Sequence, residues 1–213
     1  MASRPANATG VDKRRLILDA AITVFARQGF YNCRVSDVAD EAGVAYGLVY
    51  HHFDSKEEIL NELFLERWQI MLDAIAEIDA RPEIPVRDKL QLVASFIIDS
   101  YRNEPDLMKV IIVEVTRAAN SFGRIHLDKI REAYRGIAEI VEAGRADGDF
   151  KQDISAEFAA MCFYGAIEQL LSGWIFDLTP PTEDEFDRAK GQVVEAICDG
   201  LATPVAGSRG VSG

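Results

Sequence analysis

The sequence predicts an all-α chain of about nine helices, with a small N-terminal three-helix helix-turn-helix domain and a larger C-terminal helical domain. Three observations carry this. No stretch of useful length alternates apolar and polar residues as a strand does, and no internal repeat is present. Residues 35–53, VSDVADEAGVAYGLVYHHF, hold two short apolar patterns joined at Gly43, and two helices this short need a neighbour to complete a core. Long runs with three-four apolar spacing fill the rest of the chain, separated by Pro and Gly breaks. The expected organisation is an arm over 1–10, a helix-turn-helix domain over 11–56, a C-terminal domain over 57–203 and a tail over 204–213.

In chain order, MASRPANATG is small, polar and broken by Pro5 and Gly10, as a mobile arm would be. The first helix is expected over 12–28, burying Leu16, Ile17, Ala20, Ala21, Val24 and Phe25, with Gly29 ending it and Phe30 closing the small core. In the central stretch, Val38, Ala39 and Ala42 share one face, and Gly43 permits the left-handed turn. Leu48, Val49 and Phe53 supply the apolar face of the third helix. Ser55 and Glu58 have capping-box spacing at the start of the fourth. Its pattern runs from Ile59 to Ile78, giving a helix about 37 Å long at about 1.5 Å per residue, until RPEIP over 81–85 breaks it.

Further helices are expected over 86–101, 104–120, 122–146, 154–176 and 183–202. Asp147-Gly148-Asp149 and Pro180-Pro181 provide the last two stops. The 154–176 helix is apolar almost all round, with small residues Gly165, Ala166, Ser172 and Gly173. Val193, Val194, Ile197 and Leu201 give the last helix a matching stripe. These two helices are expected to form a four-helix bundle with a second copy, burying Phe163, Ile167, Leu170, Leu171, Trp174, Val194 and Ile197 at the dimer interface; packing within one protomer is the alternative.

Composition bounds the function. Apolar residues make up 48% and charged residues 27% of the 213, an ordinary globular balance. The longest apolar runs are interrupted by Asp99, Glu114 or Glu168, which argues against a membrane span. The polar N-terminus lacks a secretory pattern, so a cytoplasmic protein is expected. Cys33, Cys162 and Cys198 are far apart and odd in number, reading as reduced thiols. No spacing joins them to His51, His52 or His126 as metal ligands, and neither a Ser-His-Asp order nor a phosphate loop is visible; no cofactor and no catalysis are expected. The net charge of −12 is unevenly distributed. Residues 1–56 hold seven Lys/Arg and six Asp/Glu, while the rest holds sixteen and twenty-nine. A near-neutral head can still bind phosphate if Lys13, Arg14, Arg15, Arg34 and Lys56 share one face.

A helix entering the major groove needs small residues at its leading end, so that the backbone approaches base edges, and donors around them for phosphates. Ala45, Tyr46 and Gly47 supply such an entry, and Tyr50 and His51 lie one turn on. Lys56 and Arg34 add charge. Tyr46 and Tyr50 would otherwise read as core aromatics, and the spacing of His52 turns it inward.

At AITVFARQGFYNCRVSDVADEAGVAYGLVYHHFDSKEEIL the chain resembles the N-terminal domain of the TetR family of bacterial transcriptional regulators. The resemblance rests on Gly29-Phe30, Val38-Ala39, Ala42-Gly43-Val44, Tyr50-x-His52-Phe53 and Lys56-Glu57-Glu58. It implies a homodimer reading a palindromic double-stranded operator, with Ser36, Tyr46, Gly47, Tyr50, His51 and Lys56 at DNA, and a helical body that binds a small-molecule effector and releases DNA. Cys33-Arg34 stands where many members have a Thr-Thr pair, and Leu48 where many have Thr or Ser. The first change removes a hydroxyl cap, at a cost of about 1 kcal/mol of helix stability.

GDFKQDISAEFAAMCFYGAIEQLLSGWIFD resembles the C-terminal region of the family's fatty-acid-responsive, FadR-like branch, through Gly148, Phe150, Ile154, Gly165, Ala166, Ile167, Glu168 and Trp174. This implies release of DNA by a long-chain acyl-CoA and control of fatty-acid metabolism genes. Trp68, Met71, Phe96, Tyr101, Ile111, Phe122 and Tyr134 are the residues available for an apolar tunnel. Arg102, Lys109, Arg117 and Arg124 are available for the phosphates. The alternatives stay open: these aromatics also read as core and these bases as a solvated face, and the effector as a drug-like or aromatic ligand of an efflux or catabolic operon repressor.

Overall fold

The computed structural model describes residues 10–115 and 124–201, which contain nine α-helices and no strand. The helices are α1 (Gly10–Gln28), α2 (Val35–Ala42), α3 (Tyr46–His52), α4 (Lys56–Asp79), α5 (Val86–Asn103), α6 (Pro105–Lys109), α7 (Arg124–Ala146), α8 (Ala156–Ile175) and α9 (Glu183–Leu201). Residues 1–9 of the expected arm, the expected tail over 204–213, and Arg117 and Phe122 lie outside the described residues. Gly10 already belongs to α1.

The chain forms two compact units that share α4. One runs to Arg67 and adds residues 104–126; the other takes 68–103 and everything from 127. The packing therefore does not divide at 56/57. The reason is visible in the first half of α4, where Ile59, Leu60, Leu63 and Phe64 are buried and the Phe64 ring stacks on His126 at 3.9 Å.

In the first unit α1 packs on α2 and on α6. Ile17, Ala20, Ala21, Val24 and Phe25 are buried as the spacing predicts. Leu16 is exposed and Leu18 is buried; about 200° apart around the helix, they flank the Ile17–Ala21–Val24 stripe on opposite sides, and the packing of α1 covers only the Leu18 side. Gly29, at φ 80°, ends α1, and Phe30 closes the core edge-on to Phe25 at 5.4 Å. Gly43 closes α2 at φ 63°, its N–H and that of Val44 donating back to Asp40 and Ala39 carbonyls. Val38, Ala39, Ala42, Val49 and Phe53 complete the core. The Ser55 hydroxyl accepts the Glu58 N–H at 3.1 Å, while the Glu58 carboxylate takes the Asp54 N–H.

The helix expected over 104–120 is interrupted. After α6 the chain widens into a π-helical turn over Val110–Val115. Five of the six residues of VIIVEV are β-branched, which crowds a regular α-helical turn and weakens its preference for that form.

In the second unit α9 packs against α5 and α8. Leu90, Val93, Ala94, Ile97 and Ile98 of α5 meet Ala160, Phe163, Ile167, Leu171 and Trp174 of α8 and Phe186, Val193, Val194 and Cys198 of α9 in a buried core. Gly136 of α7 faces Ile75 of α4 so closely that an added Cβ would lie 2.8 Å from its methyl carbon. Lys89 closes the end of α4, its ammonium bonding the Asp79 carbonyl at 2.6 Å.

Five of the seven side chains expected at a dimer interface lie inside the single chain. At about 100° per residue, Phe163, Ile167, Leu171 and Trp174 lie together on the inward side of α8 and are essentially inaccessible in the single chain. Val194 is likewise buried. Side chains already buried by their own protomer have no surface left to give a partner; of the seven residues, only Leu170 and Ile197 stay half-exposed.

Candidate functional site

The local rules that build α2 and α3 also determine what their surface offers. Ala45, the residue before α3, has extended backbone and no side chain bonded to the helix end. A β-carbon added at Gly47 would meet nothing within 4 Å, so this face is open. Tyr46 and Tyr50, one turn apart, are both exposed. Their rings meet edge-on at 5.0 Å and their hydroxyls share a hydrogen bond of 3.2 Å. That bond, followed by slight burial and the nearby Tyr46 and Glu57, pushes the Tyr50 phenol above its ordinary pKa. Tyr50 therefore stays a neutral donor at physiological pH. His51 is exposed, and Ser36 is half-buried on α2. His52 is half-buried, as its spacing predicts; burial, then His51, Arg14 and Lys13, depress its pKa.

The basic residues do not form one free face. Arg14 pairs with Glu62 and lies over the Phe53 ring at 4.7 Å. Arg15 pairs with Glu66 and Asp19, both at 2.9 Å, and Arg27 pairs with Glu41 at 3.0 Å. Lys56 turns to its own backbone, its ammonium bonding the carbonyls of Phe30 and Cys33. Among the described residues of α1 to α3 and their turns, Lys13 and exposed Arg34 have no ion pair. Arg34 is also the residue that opens α2; its N–H donates to the Asp37 carboxylate at 2.7 Å, the half of a capping box that does not need a hydroxyl.

The residues expected at a ligand divide into separate groups. Ile111 is buried in the first unit. In the second, Trp68, Tyr134 and Tyr164 form one aromatic cluster, with Trp68 6.1 Å and Tyr134 5.3 Å from Tyr164. Met71 is buried and Phe96 half-buried in the same unit. Tyr101 packs elsewhere, 5.5 Å from Trp174 and 6.0 Å from Phe186, so it belongs to the core of α5, α8 and α9. Arg102 is engaged at the surface with Glu183 and Asp99. Tyr101 is thus packed in the core of its own unit, and Arg102 holds exposed ion pairs.

Sequence reasoning did not assign Tyr164 and Glu168 to this cluster. They stand one helical turn apart on α8, and the hint was present in their four-residue spacing. Burial raises the Glu168 carboxyl pKa, and burial followed by Glu168 and Tyr134 raises that of Tyr164. No ion pair reaches Glu168 among the described residues. Beside this cluster a groove of about 520 Å³ runs between α7 and α8, where Arg131, Tyr134 and Arg135 face Ala156 and Met161.

Comparison with known proteins covers both units. Residues 17–63 match the family described as bacterial regulatory proteins, tetR family, and residues 85–197 match the tetracyclin repressor-like C-terminal domain. The fatty acid metabolism regulator protein of Bacillus subtilis is 30% identical over 162 residues, covering 76% of this chain and 82% of that protein. The transcriptional repressor KstR2 of Rhodococcus jostii is 28% identical over 193 residues, 90% of this chain and 92% of that protein. The FadR regulator of Bacillus subtilis, solved with stearoyl-CoA, superposes with a TM-score of 0.77 at 24% identity, covering 88% of this chain and 98% of that one.

Proposed function

This chain belongs to the TetR family of bacterial regulatory proteins, and from that membership we propose an operator-reading surface, a dimer surface and an effector for it. It is a ligand-responsive transcriptional repressor and not an enzyme. Regulators of this family bind DNA operators and small-molecule effectors as dimers. No helix among the described residues is long and apolar enough to cross a membrane.

The operator-reading face is α3 with the start of α2. The observation that carries it is the exposed Tyr46–Tyr50 pair beside the open Gly47. Ala45 and Gly47 let the helix backbone approach base edges, and the two phenols and His51 offer donors to phosphate oxygens. Arg34 and Ser36 flank them from α2. Among the described residues Lys13 and Arg34 are unpaired there, and the exposed pairs of Arg15 and Arg27 exchange readily for phosphate.

The second copy docks on the outward side of α8. Phe158, Gly165, Gln169 and Phe176 fall on one line along the helix. Phe158, Met161 and Phe176 are 60%, 57% and 55% exposed, and a β-carbon added at Gly165 meets nothing in its own protomer. An antiparallel pairing about a two-fold axis near Ile167 sets Phe158 of each copy against the other copy's Phe176, with the small residues at the crossing. Leu170 and Ile197 join this face from its edge, beside the shallow groove between α8 and α9.

The effector is a long-chain acyl-CoA. Support comes from the fatty acid regulator that is 30% identical and from the groove beside α7 and α8, where Tyr134 belongs both to the lining and to the Trp68–Tyr164 aromatic cluster. A second reading, a drug-like or aromatic effector, draws on Glu168: a half-buried carboxyl beside aromatic rings suits a ligand that brings a hydrogen-bond donor or a positive charge. Fluorescence anisotropy of DNA flanking the chain's own gene tests these readings together. Stearoyl-CoA or oleoyl-CoA dissociates the complex on the first, and only cationic or aromatic compounds do so on the second. An absence of binding at low salt overturns the operator reading.

A further inference from the structure

We propose that Lys56 is a positioning residue for DNA binding, acting through the backbone of the turn that opens α2, and that its ammonium is not a phosphate ligand. This rests on the operator reading above. Lys56 is the first residue of α4, followed by Glu57 and Glu58. The two glutamates suit the positive end of a helix, whereas a cation there is unfavourable. The structure shows what offsets that cost. The ammonium donates to the Phe30 carbonyl and, at 2.9 Å, to the Cys33 carbonyl, and sits 4.5 Å from the centre of the Phe30 ring.

Both carbonyls belong to the turn between α1 and α2. Cys33 is buried, its thiol donating to the same Phe30 carbonyl at 3.3 Å. The peptide unit linking Cys33 to Arg34 is therefore held at both ends. Its oxygen accepts from Lys56, and its N–H donates to the Asp37 carboxylate at 2.7 Å. This unit leads directly into α2, and α2 carries α3 through the tight Gly43 turn. Lys56 thus ties the start of α4 to the orientation of the two helices that face DNA. Two of its three N–H donors and one aromatic face are occupied inside the protein, unlike the exposed pairs of Arg15 or Arg27, which are cheap to exchange for phosphate.

Salt dependence separates the two roles. A lysine bound to phosphate contributes about 0.9 to the slope of log affinity against log salt, or about 1.8 for the two copies of a dimer. Lys56→Met and Phe30→Leu are compared with the parent protein for DNA affinity between low and moderate salt. The active fraction is set by stoichiometric titration, and the temperature is kept well below each protein's melting transition. Positioning predicts that Lys56→Met weakens binding at least about tenfold with the slope unchanged. Phe30→Leu, which keeps an apolar side chain but removes the ring, weakens it with the same unchanged slope. The double variant then falls short of the product of the two losses. A slope smaller by about 1.8 in Lys56→Met, unchanged affinity in either folded variant, or a full product in the double variant overturns the proposal. If Lys56→Met does not fold, Phe30→Leu alone decides by its affinity and slope. Failure of the parent protein to bind overturns the operator reading instead.

Discussion

Replacing Phe158 by Asp separates the two sides of α8. Phe158 is 60% exposed in the single chain; for an aromatic side chain of roughly 200 Å² this is roughly 120 Å² of ring surface. At about 25 cal/mol per Å², covering it yields about 3 kcal/mol, and about 6 kcal/mol for the two copies in a dimer. Side-chain ordering and imperfect pairing reduce this, and half of it still corresponds to a dimer weaker by about a hundredfold. Because the ring contributes little to its own protomer, the melting temperature of the monomer should hardly move. Phe163→Ala is the control: that ring is fully buried, and its removal should cost about 3–5 kcal/mol of folding stability. Sedimentation equilibrium over a wide concentration range gives the dimer constant, and thermal unfolding gives the stability. If Phe158→Asp leaves the dimer constant unchanged, the outward face is not the interface, and the reasoning from burial fails.

Two further outcomes follow from the sites. Tyr46→Phe and Tyr50→Phe each remove one member of a hydrogen-bonded hydroxyl pair, so each should weaken operator binding several-fold, and the double variant by less than the product; multiplicative losses by anisotropy would show that the hydroxyls act independently. Burial raises the Glu168 pKa, so its carboxylate disfavours folding above that pKa, and the protein regains stability as the carboxyl takes up a proton. Glu168→Gln should therefore raise the melting temperature near neutral pH, with the gain shrinking as pH falls through the native pKa of Glu168 toward the unfolded value. A gain that grew on acidification would contradict this assignment.

The elements legible in the sequence are those governed by local chemistry. Gly29 and Gly43 stop α1 and α2, and Ser55 and Glu58 start α4, because turn and cap rules depend on a few neighbouring residues. The outward position of Tyr46 and Tyr50 follows from the same short range. What sequence reading missed depends on partners distant in the chain. Lys56 reaches carbonyls 26 and 23 residues away. The choice between Leu16 and Leu18 depends on how α1 is packed by its neighbours. The inward side of α8 could not be read because the helix is apolar nearly all round, so Phe163 and Phe158 look equivalent until α5 and α9 cover one of them. Tyr101 and Tyr134 were grouped by type, yet they pack against different aromatic partners.

An acyl-CoA effector, as proposed above, releases this TetR-family repressor from its operator. The most direct measurement of this release is anisotropy of labelled DNA from upstream of the chain's own gene, titrated with stearoyl-CoA, with coenzyme A and stearate as separate controls. Release by stearoyl-CoA is expected at concentrations where neither control acts. Retention of DNA at saturating acyl-CoA, with release by an aromatic or cationic compound, would contradict it.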